Sequence, residues 1–198
     1  MKTLVLRKHS IQDGPNGSLG PKGLELARQQ ANLISDRGIG FEMLFYAPFI
    51  GEMQTALIFC EGLNYIPSTM PIVSGVGDVG LLKKIMTDDF RSAVANGKPS
   101  FMAIMQIHGE SNLQEWSEQA HESILAMFSQ LEHGESGIGF FPGPLIKLGG
   151  WSCGVKASIP NWDKLGPMEG LVFSFETQRK ILVNWKASKQ PGLGCKIC

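Results

Sequence analysis

The apolar run Thr3-Leu4-Val5-Leu6, which stops at Arg7-Lys8-His9, constrains this chain more than any other stretch. A short apolar run bounded by charge and loop residues reads as a buried strand. Gly14, Pro15 and Gly17 mark the loop that follows, and Pro21 suits a first helical turn. From there Leu24, Ala27, Ala31 and Ile34 recur at helical spacing. Strand, loop and helix in that order form a unit of an α/β sheet. His9 then falls at the sheet edge where such folds bind ligands.

Further along, buried runs keep alternating with helical patterns. Gly40 to Tyr46 and Met70 to Val73 read as strands, separated by a helix over Glu52 to Leu63 with Met53, Ala56, Leu57 and Cys60 on one face. Phe101 to Ile107 is another apolar run, ending in His108-Gly109-Glu110. Ser111 or Asn112 then caps a helix with Leu113, Trp116, Ala120, Ile124, Met127, Phe128 and Leu131 turned inward. Ile138 to Phe141 is a strand, and Gly170 to Phe175 with Ile181 to Trp185 forms a terminal hairpin turning through Gln178-Arg179. These elements predict an α/β three-layer sandwich whose central, mostly parallel sheet carries helices on both faces. The strand Thr3–Arg7 is expected at the centre, flanked by Met43–Tyr46 and Ile138–Phe141, with the hairpin toward one edge. The expected organisation is one domain over 1–198, with 101–134 an inserted strand and helix over the rim of the site and 190–198 a flexible tail.

Composition limits the partners. A chain of 198 residues with 43% hydrophobic content supports a sizeable core. Eighteen basic residues against eighteen acidic ones leave no global field for nucleic acid or an anionic membrane, so any anion site must be local. With no signal-peptide pattern and no run long enough to span a bilayer, a cytoplasmic location without membrane contact is expected. Cys195 and Cys198 have C-x-x-C spacing but no second pair, so no metal site is expected. His121 and His133 read as solvated helix-surface residues. Gly75-Val76-Gly77-Asp78-Val79-Gly80 matches a dinucleotide fingerprint, yet it comes late in the chain and has no acidic residue at the expected distance. It reads instead as a helix entry with Asp78 as N-cap and no cofactor.

Three landmarks, in order, resemble the histidine phosphatase (phosphoglycerate-mutase-like) superfamily, nearest its small phosphohistidine-phosphatase branch. That family has a strand ending in Arg-His-Gly or Arg-His-Ala, then Leu-Thr-x-x-Gly-x-x-x-Ala; here stand Lys8-His9-Ser10 and Leu19-Gly20-Pro21-Lys22-Gly23-Leu24-Glu25-Leu26-Ala27. Its Ser-Pro-x-x-Arg-Ala-x-Gln-Thr-Ala is matched by Ala47-Pro48-Phe49-Ile50-Gly51-Glu52-Met53-Gln54-Thr55-Ala56. Its strand ending in Ser-His or Gly-His is matched by Gly139-Phe140-Phe141-Pro142 before Pro144-Leu145-Ile146. The resemblance implies a cage of two arginines and two histidines around a transferring phosphoryl group, with His9 as nucleophile. Lys8 replaces the first arginine, with Arg7 beside it as a second phosphate-binding candidate. The cage is otherwise degenerate: Ala47 replaces the serine, Gly51 the second arginine and Pro142 the second histidine. His108 and Glu110 are the residues available to compensate. Three readings follow: a binder of a phosphorylated small molecule or phosphoprotein with little or no phosphatase activity, an atypical active phosphatase, or a dinucleotide binder through Gly75 to Gly80. Oligomeric state is not legible.

Overall fold

Strand β1 (Lys2–Lys8) lies inside a six-stranded sheet and sorts its side chains to two sides. In the computed structural model, which describes residues 1–63, 67–155, 165–175 and the backbone of 181–187, the remaining strands are β2 (Met43–Tyr46), β3 (Ser68–Pro71), β4 (Ser136–Phe141), β5 (Gly170–Phe175) and β6 (Ile181–Ala187). Their order is β3-β2-β4-β1-β5-β6. β1 pairs in parallel with β4, β4 with β2 and β2 with β3, while β5 runs antiparallel to both β1 and β6. The sheet is therefore mixed and mostly parallel, as expected, with the hairpin at one edge. The neighbours of β1 differ from expectation: β5 takes the place assigned to β2, which lies one strand further out beyond β4. The turn expected at Gln178-Arg179 and the Cys195/Cys198 tail lie outside the described residues.

Among the described residues, six helices cover the sheet. Helices α1 (Pro21–Asp36) and α2 (Ile50–Gly62) lie on one face, where Ala31, Ile34, Ala56 and Phe59 pack against Val5, Leu44, Ile138, Phe140 and Val172. On the other face α3 (Val79–Ile85), α4 (Asp88–Ala95), α5 (Ser100–Ser129) and α6 (Gly143–Ser152) enclose the larger core, which includes Leu4, Leu6, Phe45, Phe141 and Phe173. Period-two alternation of strand side chains produces that division, sending Leu4 and Leu6 one way and Val5 the other. Among the described residues no helix is long and apolar enough to cross a membrane.

Two expectations change at the helices. Phe101 to Ile107 is not a strand but the first part of α5, which breaks at Gly109 (φ 81°) and continues to Ser129. Within this part Phe101 and Ile104 are buried and Met102 exposed, a helical spacing that a seven-residue apolar run conceals. On α2, Ala56 is buried as expected, whereas Met53 and Leu57 are exposed, because the buried stripe runs through Glu52, Thr55, Ala56 and Phe59.

The glycine fingerprint is accounted for by packing. Gly75 to Gly77 forms a short 3-10 turn beneath α5, and Asp78 caps α3 by accepting a hydrogen bond from the Leu81 amide at 3.0 Å. A Cβ on Gly77 would lie 1.8 Å from the Ile72 carbonyl oxygen, and one on Gly75 2.2 Å from that of Gln119. At Gly80 the nearest atom is the flexible Asp78 carboxylate, 3.2 Å away. In urea denaturation Gly77→Ala is expected to cost about 1–3 kcal/mol or more, and Gly80→Ala less than about 0.5 kcal/mol. Titration with NAD, NADP or FAD is expected to leave tryptophan fluorescence unchanged; saturable binding at micromolar concentration would show that the glycines serve a cofactor instead.

Candidate active site at the carboxyl edge of the sheet

Strands β1 and β4 are parallel neighbours, yet the chain leaves β1 toward α1 on one face and β4 toward α6 on the other. A crevice opens where such connections diverge, outside the carboxyl ends of the strands. His9 follows β1 there, Pro142 follows β4, and Ala47-Pro48 follows β2. Lys8 is paired with Phe141 in the ladder, which sets His9 and Pro142 side by side. The crevice is a cavity of about 830 Å³, whose lining includes Lys8, His9, Glu52, Pro142 and Lys147.

Hydrogen bonds hold the loop after β1 in place. The Ser10 amide donates to Thr55 Oγ1 at 3.2 Å, Thr55 Oγ1 donates to the Gly51 carbonyl at 2.6 Å, and Ser10 Oγ donates to the Gly23 carbonyl at 2.7 Å. Further on, Gln54 Oε1 accepts from the Leu19 amide at 2.7 Å. Asp13 accepts from the amides of Gly20, Lys22 and Gly23, closing the start of α1. Desolvation alone would raise the Asp13 carboxyl, but those amides outweigh it and hold it below the ordinary value.

His9 is fixed by its own backbone. Its Nδ1 lies 2.6 Å from the Ser10 carbonyl oxygen, which can only accept, so Nδ1 carries the proton and Nε2 a lone pair. Burial pushes the imidazole down to about 4; the bond to Ser10 opposes this and the Lys8 charge adds to it. Glu52 Oε1 lies 3.9 Å from His9 Nε2, and its side chain is only 2% exposed. Burial raises that carboxyl to about 7, against the opposing pull of its own backbone amide and of Lys8. With His9 uncharged near neutral pH, the pair is not an ion pair, and 3.9 Å is too long for a hydrogen bond. Glu52 Oε2 is buried without a hydrogen-bond partner among the described residues.

The sequence-predicted residues divide. Lys8 lines the cavity, its aliphatic stem running over Gly143 at the start of α6. Arg7 does not: strand alternation turns it to the α1 face, where its guanidinium donates to the Met168 carbonyl at 3.1 Å and to Gln30 Oε1 at 3.4 Å. His108 and Glu110 are also outside the cavity. His108 sits 3.2 Å from the Ile85 carbonyl oxygen and edge-on to Trp116, with ring centroids 5.1 Å apart, while Glu110 is exposed beyond the break at Gly109. Gly97 to Ser100, just before the stretch that carries them, line the cavity instead. Lys147 escaped sequence reasoning. It is 5% exposed and donates through Nζ to Ser100 Oγ; its one signal was a single cation inside the apolar Pro144–Leu148 turn of helix.

No protein-family profile matches the sequence, and no curated protein matches it. Solved structures do. A phosphoserine phosphatase mutant from Entamoeba histolytica, in complex with phosphoserine, superposes with a TM-score of 0.62 at 15% identity, covering 96% of this chain and 98% of the other. A mycobacterial glucosyl-3-phosphoglycerate phosphatase, complexed with VO3, gives 0.62 at 15% identity, covering 95% and 100%. The protein histidine phosphatase SixA, complexed with tungstate, gives 0.56 at 13% identity, covering 93% and 95%.

The fold is that of the histidine phosphatases.

On this histidine phosphatase fold, packing defines the surroundings of Gly51, Ala47 and Pro142. A Cβ on Gly51 would lie 2.3 Å from Gln12 Nε2 and 2.8 Å from the Gly17 carbonyl oxygen, so the loop after β1 fills the space beside its Cα. Ala47 is fully buried, its amide donating to the Phe140 carbonyl at 3.0 Å. Pro142 offers no side-chain donor and serves as N-cap of α6.

The two buried titratable groups give opposite pH dependence. Glu52 holds its proton more tightly in the folded chain, so its contribution to stability is full below its ordinary value near 4.5 and is lost as pH rises through about 7. His9 is the reverse: its contribution is full above 6.5 and is lost as pH falls through about 4. Comparing wild type with Glu52→Gln removes the His9 effect common to both. The stability difference from urea denaturation is expected to move in favour of the variant by about 3 kcal/mol between pH 4 and pH 8. A pH-independent difference would show that Glu52 is not desolvated.

Proposed function

We propose that this protein uses the histidine phosphatase fold to bind an anion, a phosphorylated small molecule or the phosphoryl group of a protein, with little or no phosphatase activity. One observation carries the reading: Gln12 and the Gly17 carbonyl crowd the point where a side chain on Gly51 would begin, and the buried carboxyl of the next residue lies 3.9 Å from the imidazole. Phosphoryl transfer to histidine needs a neutral imidazole in line with phosphorus and donors around the equatorial oxygens, where charge develops. His9 supplies the first requirement. For the second the cavity lining offers Lys8 and Lys147, point charges without the bidentate fork of a guanidinium. Removing one preorganised donor lowers rate about 100- to 1000-fold, so two missing groups leave about a ten-thousandth of the activity or less. Glu52, once ionised, repels a phosphate dianion, so binding favours the lower side of neutrality.

A rival reading, an active phosphatase with His9 as phospho-accepting nucleophile, draws support from the Nε2 lone pair that the bond to Ser10 leaves toward the cavity. Hydrolysis of an aryl phosphate and of phosphohistidine separates the two. Near-background turnover is expected, unchanged in His9→Ala; robust turnover abolished by His9→Ala would make the protein an enzyme. Restoring the cage with Gly51→Arg and Pro142→His is expected to lower the melting temperature without creating activity, because the side chain introduced at Gly51 would meet the loop at its first carbon.

A further inference from the structure

The lining of the cavity at His9 is of two kinds. Part of it is the polar groups described above. The rest is apolar: Leu82 and Met86, Phe90 and Val94 of α4, and Phe49 and Ile50 at the start of α2. Leu82 and Met86, like Phe90 and Val94, are four residues apart, so each pair presents one face of its helical segment to the same space. Ile50 is 51% exposed and Val94 38%, which leaves apolar surface open to solvent at the mouth. An inorganic anion would leave that wall wet. A volume of about 830 Å³ matches pockets that enclose whole small molecules rather than single ions.

We propose that the cavity takes a small amphipathic anion, with its phosphate, sulfonate or carboxylate head at Lys8 and Lys147 and an aromatic or aliphatic body against Leu82, Met86, Phe90 and Val94. The proposal rests on the anion-binding reading above and adds the class of ligand. Charge complementarity at the lysines and apolar burial against Leu82, Met86, Phe90 and Val94 fix the orientation, since reversing it would desolvate the head against the wall. The concave shape selects a free small molecule. A phosphorylated peptide, which brings backbone polar groups to the same wall, is disfavoured.

Calorimetric titration at pH 6.5 with sodium sulfate and with sodium naphthalene-1-sulfonate tests it; neither is hydrolysed or titrates in this range. The aryl sulfonate is expected to bind at least about tenfold tighter than sulfate. The double variant Ile50→Asn with Val94→Asn, at two partly exposed positions, should remove most of that advantage and leave sulfate unchanged. Lys8→Gln and Lys147→Gln, each checked for folding by circular dichroism, should weaken both ligands. Equal affinity for the two anions, or an aryl preference that survives the asparagine pair, overturns the amphipathic proposal and leaves anion binding standing. Aryl binding insensitive to both lysine variants, or no sulfate binding at all, overturns the anion reading itself. Tighter binding of a phosphoserine peptide than of the aryl sulfonate also overturns the small-molecule assignment.

Discussion

Alternation along β1 is the constraint on which the rest of the molecule depends. A strand sends successive side chains to opposite faces, and β1 runs through the interior of the sheet. Leu4 and Leu6 therefore enter the larger core and Val5 the smaller one. The same alternation carries into the charged end. Lys8 follows Leu4 and Leu6 into the cavity, whereas Arg7 follows Val5 and is engaged by the Met168 carbonyl and Gln30. Two adjacent cations thus have unrelated duties: one lines the cavity, and the other ties α1 to the segment that leads into β5.

Burial, rather than pairing, dominates the electrostatics of the site. Two ionisable groups 3.9 Å apart would hold each other charged if water were plentiful. Here each loses more by desolvation than it gains from its neighbour, and both move toward neutrality: the imidazole loses its proton and the carboxyl keeps one. Lys8 opposes the carboxyl's shift and reinforces the imidazole's, because a nearby positive charge favours the deprotonated form of each. A neutral His9 with its lone pair on Nε2 is the protonation state that nucleophilic attack by an imidazole requires.

Much of this was legible in the sequence, and the failures have identifiable causes. His9, Lys8 and Pro142 could be placed at strand ends, because strand ends and turn residues are local signals. The order of strands was legible in part; nothing local to β5 announces that it, rather than β2, lies beside β1. Phe101 to Ile107 reads as a strand because a seven-residue apolar run fits a strand as well as about two turns of helix. Lys147 reaches the cavity from α6, and Gln12 covers Gly51 from the loop after β1; such contacts between distant segments leave no pattern in either segment alone. His108 failed as a candidate for the same reason in reverse, since its neighbours are the Ile85 carbonyl and Trp116.

The seating of Gln12 over Gly51 also has a consequence for how this sequence can change. At Gly51 any side chain is excluded while the loop keeps its present path, because the Gly17 carbonyl blocks it even if Gln12 is shortened. The effect of a mutation at Gly51 is therefore conditional on the loop, and the two sites are epistatic. A larger residue there requires a different path for Gln12 to Gly17. Asp13 sits inside that stretch, and its carboxylate accepts from the amides that open α1. The glycine and the loop therefore constrain each other: change at either is screened first by the backbone of the other.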